Sequence, residues 1–338
     1  MKRWQTILIG TVISVVALFF VLRQADFAEI AAAYQTARYE YVAYAVGVLF
    51  LITWIRGWRW SALNEGRLSI ADGFWLFNIG FLFNNVMPFR LGELARIGLA
   101  SHRPKMHVAS ALSSTVIERL FDVIGVLLLF IVVLIGLDLP PWLNASGIGL
   151  AIGGLVGLAI MRLASIYPDQ TIELTARVLS RVPRIDQDVV RRTLSPFVDG
   201  LAGVANWRVF LAGLILTILA WGGSVISGYL LMLAFWDQVP PIFGVLAIAA
   251  AGLGVSVPSA PSGVGPFHAA VIGALVAVGL DDNLSRSYAF ALHAMNFSVT
   301  TLLGMIGLVR EGVTFNQVAE EARSLKIQDA ASAPEVAT

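Results

Sequence analysis

Long runs of apolar residues, separated by short polar segments, make up most of this sequence. Six of the runs are uninterrupted and lie at about 7–22, 41–60, 108–137, 146–164, 209–236 and 285–309. At a helical rise of about 1.5 Å per residue, such runs are long enough to cross roughly 30 Å of hydrocarbon. The pattern therefore predicts an all-α polytopic membrane protein with about six transmembrane helices.

Two further apolar stretches, at about 73–100 and 241–280, are interrupted near their middles by proline, glycine and polar residues. Proline removes a backbone hydrogen bond and clashes with the preceding turn, so each stretch is predicted to form two half-helices. Non-helical backbone is tolerated at membrane depth only where protein or water covers it, which favours re-entrant helical hairpins. The predicted hinge residues are Pro88, Gly92, Pro258, Pro261 and Pro266.

The distribution of positive charge sets the predicted orientation. With the N-terminus inside, the outside loops carry only Arg23, Arg38 and Arg286, and the inside segments carry most of the other lysines and arginines. This asymmetry follows the positive-inside rule. It predicts a multi-pass protein of the cytoplasmic (inner) membrane with both termini in the cytoplasm.

The order of elements repeats along the chain, as span, span, hairpin and span. Residues 1–137 are predicted to form the first transmembrane repeat and residues 138–310 the second. Because each copy contains three crossings, the second copy must be inverted relative to the first. Interrupted segments at corresponding positions of inverted halves indicate a transporter binding site near the midplane.

Two segments outside the spans are more polar. The Arg-rich insertion 165–208 is predicted either to form interfacial helices, with Leu174, Val178 and Leu179 on an apolar face, or to be a solvated connector. Residues 311–338 are predicted to be a cytoplasmic tail that is partly disordered from Gln317 onward, because its apolar content is low.

Composition narrows the function classes. The chain is 57% hydrophobic and only 13% charged, which excludes a single soluble globule, and its net charge of +1 argues against nucleic acid as a partner. It has no cysteine, P-loop, His-Glu-x-x-His helix or Gly-x-Ser-x-Gly elbow. These features favour a transporter without a cofactor over an enzyme, and leave the oligomeric state open.

A charged turn lies within the third run. Glu118, Arg119 and Asp122 precede the apolar residues 123–137, which alone are too short to cross the hydrocarbon, so the turn is expected inside the membrane. Charges there cost about 2.5–3.5 kcal/mol each on insertion scales and therefore face a partner or water. The turn is interpreted either as an ion-pair network that braces the fold or as a polar wall of a substrate pathway.

The first hairpin carries the candidate binding residues Asn84, Asn85, Arg90, Glu93 and Arg96. A half-helix that begins near its break would direct free N–H groups into the protein, and an arginine there would favour an anionic headgroup. A structural alternative is that Glu93 pairs with Arg90 or Arg96.

The second hairpin carries the candidates Ser259, Ser262, Gly263, Gly265 and His268. Its small residues would let a ligand approach the backbone closely. His268 is interpreted either as a hydrogen-bond donor to phosphate or a proton relay, or as a satisfied core histidine. The whole hairpin is interpreted either as a site or as a packing kink.

Polar residues also occur within uninterrupted runs. Arg56 and Arg59 end the second run among three tryptophans, and either anchor the span at the inner interface or bind lipid phosphate. For His293 and Asn296 in the last run, a core role is favoured.

Together these motifs resemble the lysylphosphatidylglycerol synthase transmembrane, or flippase-like, family over about residues 1–310. The motifs are Trp58-Arg59-Trp60, Asn85-x-x-Pro88-x-Arg90-x-Gly92-Glu93-x-x-Arg96, Glu118-Arg119-x-x-Asp122 and Pro258-Ser-Ala-Pro-Ser-Gly-Val-Gly-Pro-Phe-His268. Many family members have Glu where His268 stands. In two-part members this module precedes a cytosolic aminoacyl-transferase domain and is held to move aminoacylated lipid, so the resemblance implies the lipid-moving part without the synthase.

The leading hypothesis is a flippase for an anionic or zwitterionic lipid, with membrane lipids as partners. Arg90, Arg96 and Arg119 would offset headgroup charge, and Glu93, Glu118, Asp122 or His268 would couple movement to protons. The alternatives are translocation of a polyprenyl-phosphate-linked sugar, a membrane-embedded transferase, and a non-transporting subunit that works with a separate lipid-modifying enzyme.

Overall fold

The computed structural model describes residues 3–332, except Gln24, 88–90, Lys105, 138–140, 181–186, 202–204 and 258–260. Throughout this described part the secondary structure is helical, without strands. The helices are α1 (Arg3–Leu22), α2 (Phe27–Thr36), α3 (Tyr39–Leu63), α4 (Ile70–Val86), α5 (Gly92–Ser101), α6 (Val108–Gly136), α7 (Pro141–Ile166), α8 (Pro168–Leu179), α9 (Gln187–Gly200), α10 (Trp207–Phe235), α11 (Pro241–Ser256), α12 (Pro266–Ala277), α13 (Asp282–Glu311) and α14 (Phe315–Ser332), with a 3₁₀ turn at Pro261–Gly263.

The prediction of an all-α polytopic membrane protein is confirmed. Within the described ranges, four helices are long and apolar enough to cross a membrane, namely α3, α6, α10 and α13. A fifth span is added if α7 and α8, which meet at 118°, are one broken span. The predicted first span coincides with α1, whose part Val12–Leu22 is an apolar helix. The residues that the structure describes therefore provide four or five candidate spans.

Each interrupted stretch folds into two half-helices that lie side by side. In the first hairpin, α4 and α5 approach so closely that a Cβ on Gly92 would lie 1.8 Å from the carbonyl oxygen of Gly80. In the second, a Cβ on Gly254 would lie 2.8 Å from Cα of Phe267, because α11 packs directly on α12. The helix breaks at these positions are thus chain reversals rather than kinks within a continuous span.

The predicted hinges fall at these reversals where the structure describes them. Gly92 is the first residue of α5, Pro261 begins the 3₁₀ turn, and Pro266 begins α12, where a missing N–H costs no helical hydrogen bond. Pro88 and Pro258 lie outside the described residues.

The helix contacts show an internal correspondence. Helix α3 packs along α10, α4 packs on α13, and α11 packs on α6. If α3, α4, α5 and α6 are matched in order with α10, α11, α12 and α13, the contact of α3 with α10 maps onto itself. The contact of α4 with α13 then maps onto the contact of α11 with α6. Helices α1 and α7 do not follow this correspondence. Helix α1 packs on α12, the match of α5, whereas α7 packs on α6. Two inverted copies would give this arrangement, and the predicted boundaries at 1–137 and 138–310 stay a prediction.

The Arg-rich insertion contains two helices that pack on each other, α8 and α9. Arg191 on α9 pairs with Glu173 on α8 at 3.0 Å. Leu174, Val178 and Leu179 are exposed, with Leu174 at 61%. Because no described protein surface covers this apolar face, the arrangement favours interfacial helices over a solvated connector.

The segment after α13 differs from the prediction of a frayed tail. Helix α14 packs on α5 and buries Val318, Ala319 and Ala322, and the ring of Phe315 stacks on Phe83 with centroids 4.3 Å apart. Its apolar content is low but is concentrated on one helical stripe, which is enough to dock a short helix. Residues 333–338 lie outside the described part.

Candidate functional site

Glu118 is the centre of a buried charged network. Its Oε1 accepts a hydrogen bond from Nη2 of Arg59 at 3.0 Å, and its Oε2 accepts one from Nη2 of Arg96. The three side chains are 0%, 1% and 2% exposed, respectively. Both oxygens of the carboxylate are therefore occupied by arginines, away from solvent.

Four helices bring this network together. Glu118 and Asp122 lie one turn apart on α6 and share a face, so that Arg59 of α3 also donates to Oδ1 of Asp122 at 2.8 Å. The second amino group of Arg59 donates to Thr217 of α10 at 3.0 Å. Arg96 of α5 completes the set, and its guanidinium lies 4.7 Å over the ring of Trp60.

The outer part of the network is more accessible. Nε of Arg119 lies 3.1 Å from Oε1 of Glu93, and its Nη1 lies 3.3 Å from Oδ2 of Asp122. Arg119 is 41% exposed. The expectation that Glu93 pairs with Arg90 or Arg96 is corrected for Arg96, because α5 directs Glu93 toward α6 while Arg96 points to Glu118. Arg90 lies outside the described residues.

Arg56 lies one turn before Arg59 on α3 and has a different environment. It donates to Oγ of Ser224 at 3.3 Å, and its guanidinium lies 5.9 Å from the ring centroid of Trp221. Within the described part of the chain, no carboxylate forms an ion pair with it. It is therefore a guanidinium beside the network that none of the described carboxylates contacts directly.

A second polar cluster forms where the two hairpins meet, and we call it the tip cluster. Nδ2 of Asn85, at the end of α4, donates to the hydroxyls of Thr300 and Thr301 of α13, both at 3.0 Å. Oγ of Ser262, in the turn of the second hairpin, lies 3.4 Å from Oδ1 of Asn85 and 2.9 Å from Nε2 of His293. The interruptions of both hairpins thus converge on one face of α13.

His268 lies beside the tip cluster but is buried. Its Nδ1 accepts from the backbone N–H of Gly265 at 3.4 Å, and its ring stacks on His293 with centroids 4.7 Å apart. It therefore caps its own helix, as the core alternative predicts. The Nδ1 atom of His293 is buried without a hydrogen-bond partner in the described structure.

The remaining candidates have local roles. Oδ1 of Asn84 accepts from the N–H of Gly92 at 3.0 Å and so links the two arms of the first hairpin. Gly263 and Gly265 have φ of 72° and 96°, a region that favours glycine, and shape the turn of the second hairpin. Ser259 lies outside the described residues.

The predicted residues thus divide between two places. The network gathers Arg59, Glu93, Arg96, Glu118, Arg119 and Asp122, with Arg56 beside it, and the tip cluster gathers Asn85 and Ser262. Sequence reasoning missed Thr217, Trp221 and Ser224 of α10, and Thr300 and Thr301 of α13. On α13 a signal was present, because His293, Thr300 and Thr301 recur at i, i+7 and i+8 and lie on one helical face.

Comparison with known proteins gives two relatives. The chain is 25% identical over 370 aligned positions to the glycosyltransferase AglD of Haloferax volcanii. That alignment covers 96% of this chain but only 57% of AglD. It is 24% identical over 326 positions to a UPF0104 membrane protein of Methanothermobacter thermautotrophicus, covering 91% of this chain and 96% of that protein. No solved structure matches the chain.

The family match is much broader than any single motif. It runs from residue 7 to residue 304 and includes both hairpins, the charged network and the tip cluster. Since this range spans most of the sequence, the chain belongs to the family described as the lysylphosphatidylglycerol synthase TM region.

Proposed function

We propose that this protein moves the headgroup of an anionic or zwitterionic lipid across the membrane. The observation that carries the proposal is the tip cluster, in which two interrupted helical hairpins from different halves of the chain meet through Asn85 and Ser262. Broken helices that meet inside a bundle are the usual site of substrate binding in transporters with inverted repeats.

The surroundings of the tip cluster suit a lipid. Val86, which follows Asn85 in the chain, and Phe297, whose carbonyl oxygen lies 3.4 Å from Nδ2 of Asn85, are both exposed. A polar group can therefore lie at the cluster while apolar chains remain in the hydrocarbon beside it. Hydroxyl and amide side chains offer both donors and acceptors, which suits a phosphate with alcohol or amine substituents.

The charged network supports the same proposal in a different way. Its three arginines and three carboxylates neutralise one another, so that helices α3, α5, α6 and α10 are held around a polar interior. We assign the accessible pair Arg119 and Glu93 to contact with the headgroup. Glu118 is assigned to bracing, because both its oxygens are bound by arginines.

The proposal includes the cellular setting. The protein is proposed to lie in the cytoplasmic membrane with both termini inside, to act as a transporter rather than an enzyme, and to receive its lipid from a separate lipid-modifying enzyme. Its support is the charge asymmetry of the loops and the lack of a catalytic motif in the sequence.

A second candidate substrate is a polyprenyl-phosphate-linked sugar. The relative that favours it is AglD, whose name is that of a glycosyltransferase and which aligns with 96% of this chain. Such a substrate also has a phosphate headgroup and a long apolar tail, so the same cluster and the same exposed apolar residues would serve it.

The test is reconstitution of the purified chain in liposomes with headgroup-labelled phosphatidylglycerol, phosphatidylethanolamine or a polyprenyl-phosphate sugar. We expect translocation of one lipid class by the wild type and about a tenfold lower rate for Asn85→Ala or Ser262→Ala. The matched control is Ser256→Ala, because Ser256 lies on the same hairpin, is exposed and donates to the carbonyl oxygen of Leu253 in its own turn. Absence of translocation of every lipid by folded protein would refute the proposal.

A further inference from the structure

Ser262 joins the two hairpins through a hydroxyl group that has a single hydrogen to donate. Its Oγ lies 3.4 Å from Oδ1 of Asn85 and 2.9 Å from Nε2 of His293. An amide oxygen only accepts hydrogen bonds, whereas an imidazole nitrogen donates when it carries a hydrogen and accepts when it does not. The state of the His293 ring therefore decides whether Ser262 can donate to Asn85.

The orientation of the Asn85 amide is set by its other neighbours. Thr300 uses its own hydrogen on the carbonyl oxygen of Asn296 at 2.7 Å, so its hydroxyl can only accept from Asn85. This places Nδ2 of Asn85 against Thr300 and directs Oδ1 to Ser262. The hydrogen bond between the hairpins thus has one possible direction, from Ser262 to Asn85.

The His293 ring has three possible states at this contact. When both ring nitrogens carry a hydrogen, Nε2 donates to Ser262, and Ser262 donates to Asn85. When only Nε2 carries one, the same arrangement holds. When only Nδ1 carries one, the hydroxyl of Ser262 turns to donate to Nε2, and Asn85 loses its donor. The charged ring can therefore only keep the contact, whereas the neutral ring can also release it.

His293, rather than its neighbour His268, is the ring that can take up a proton. Nδ1 of His268 already accepts from the backbone N–H of Gly265, so a proton there would break the cap of α12. Nδ1 of His293 is buried and has no hydrogen-bond partner in the described structure. The rings stack with centroids 4.7 Å apart, and because two positive charges at this distance repel each other, the pair holds one proton.

His268 is also the titratable side chain that contacts His293 in the described structure. Among the described residues, no carboxylate forms an ion pair with either ring. Further ionisable side chains of α13 and of the helices packed against it have partners of their own, namely Glu29 (Asn283), Tyr34 (Ser287), Arg38 (Asp237), Arg56 (Ser224), Arg59 (Glu118 and Asp122), Asp72 (Arg103), Tyr229 (Val239), Arg286 (Val21), Tyr288 (Gly228) and Glu311 (Arg103).

We propose that His293 is a proton-binding residue that controls the contact between the two hairpins. A proton on Nδ1 keeps Ser262 as the donor to Asn85 and holds the two turns together. Its loss lets the hydroxyl turn to Nε2, so that the turns can separate. Ser262 has φ of 61°, a region that favours glycine, so serine brings its hydroxyl to this turn at a cost in backbone strain.

The inference deepens the proposed function by naming what regulates the tip cluster. It rests on that function for the role of the separation, which is to open a path for the lipid headgroup. The hydrogen-bond argument itself depends only on the side chains of Asn85, Ser262 and His293.

The test is the distance between the two turns as a function of pH. Because the chain has no cysteine, Val86→Cys/Val257→Cys places one spin label on each hairpin, at two exposed positions. Electron paramagnetic resonance is recorded on the full-length labelled chain in liposomes. We expect a narrow distribution of short distances near pH 5 and a broader one of longer distances near pH 8, because histidine titrates in this range.

Three variants in the same labelled chain identify the residue responsible. His293→Gln cannot take up a proton and should give the same distances at both pH values. Ser262→Ala retains both histidines but lacks the hydroxyl, so it should also lose the change. His268→Gln is the matched control and should keep the change, because its amide oxygen can still accept from the N–H of Gly265.

An unchanged distance between pH 5 and pH 8 in the labelled chain would overturn the inference. A change that persists in His293→Gln or Ser262→Ala, or that disappears in His268→Gln, would also overturn it. If His293→Gln does not fold, Ser262→Ala decides the matter. Because distance and translocation are measured separately, a pH-dependent distance in a protein that moves no lipid would refute the proposed function and leave this inference standing.

Discussion

Asn85 and Ser262, 177 positions apart in the sequence, meet side chain to side chain at the turns of two different helical hairpins. Asn85 donates hydrogen bonds to two threonines of α13, and Ser262 is hydrogen-bonded to His293 of the same helix. Both hairpins are therefore attached to one face of α13. A path between the hairpins must therefore pass this contact or open it.

The first prediction follows from that contact and from the absence of cysteine in the sequence. In the variant Asn85→Cys/Ser262→Cys, a thiol-specific cross-link between the two turns should stop lipid translocation in liposomes, and a reductant should restore it. Each single-cysteine variant, treated in the same way, is the control. Translocation at the wild-type rate by fully cross-linked protein would show that the turns need not separate.

The second prediction concerns Glu118. Replacement by Gln leaves two buried arginines with one carboxylate fewer, and loss of one partner from a buried pair costs about 3–5 kcal/mol. We therefore expect Glu118→Gln to lower the thermal unfolding temperature strongly in detergent.

Glu93→Gln is the comparison for Glu118→Gln, because Glu93 is partly exposed and its ion pair is expected to contribute less than about 1 kcal/mol. If Glu118→Gln kept its thermal stability but lost transport, Glu118 would belong to the substrate path rather than to the bracing network.

The third prediction concerns the closeness of the two arms of the first hairpin. Gly92→Ala would place a Cβ 1.8 Å from the backbone oxygen of Gly80, and backbone cannot move aside as a side chain can. Overpacking of this kind costs about 1–3 kcal/mol, measured as a lower denaturation temperature.

Gly273→Ala is the matched control for Gly92→Ala. Gly273 lies within α12 and nothing is within 4 Å of the Cβ it would gain. Alanine is the better helix former by about 1 kcal/mol, so this change should leave stability the same or raise it. Equal effects of the two substitutions would contradict the close packing of α4 on α5.

The fourth prediction concerns α14. Val318 is buried on the stripe that packs against the first hairpin, so Val318→Asp should detach the helix. Limited proteolysis with trypsin should then cut at the exposed Arg323 severalfold faster. Asn316→Asp, on the exposed side of the same helix, should be cut at the wild-type rate.

Much of the helix order follows from the sequence, because hydropathy and proline positions determine where a helix begins, crosses and breaks. The face shared by Glu118 and Asp122 is also predictable, since it depends only on the helical repeat. The partner of that face is not, because hydropathy says nothing about how α3 is rotated to present Arg59.

Histidine in the last run illustrates the same limit. A lone His293 in an apolar helix is most simply a packed residue, and the helical face that it shares with Thr300 and Thr301 does not identify its partner. Its hydrogen-bond partner, Ser262, is supplied by the turn of the second hairpin, which only the tertiary fold brings to it. The docking of α14 was missed for a related reason, since a short stripe of small residues has little hydropathy of its own.

The stacked rings of Phe83 and Phe315 have a mechanical consequence. Phe83 precedes Asn85 by two residues on α4, so the helical turn that touches α14 is the same turn that carries the tip contact. A pull or push on α14 therefore reaches the meeting point of the two hairpins through one turn of helix, without passing through the charged network. Helix α14 is in this sense mechanically coupled to the contact between the two hairpins.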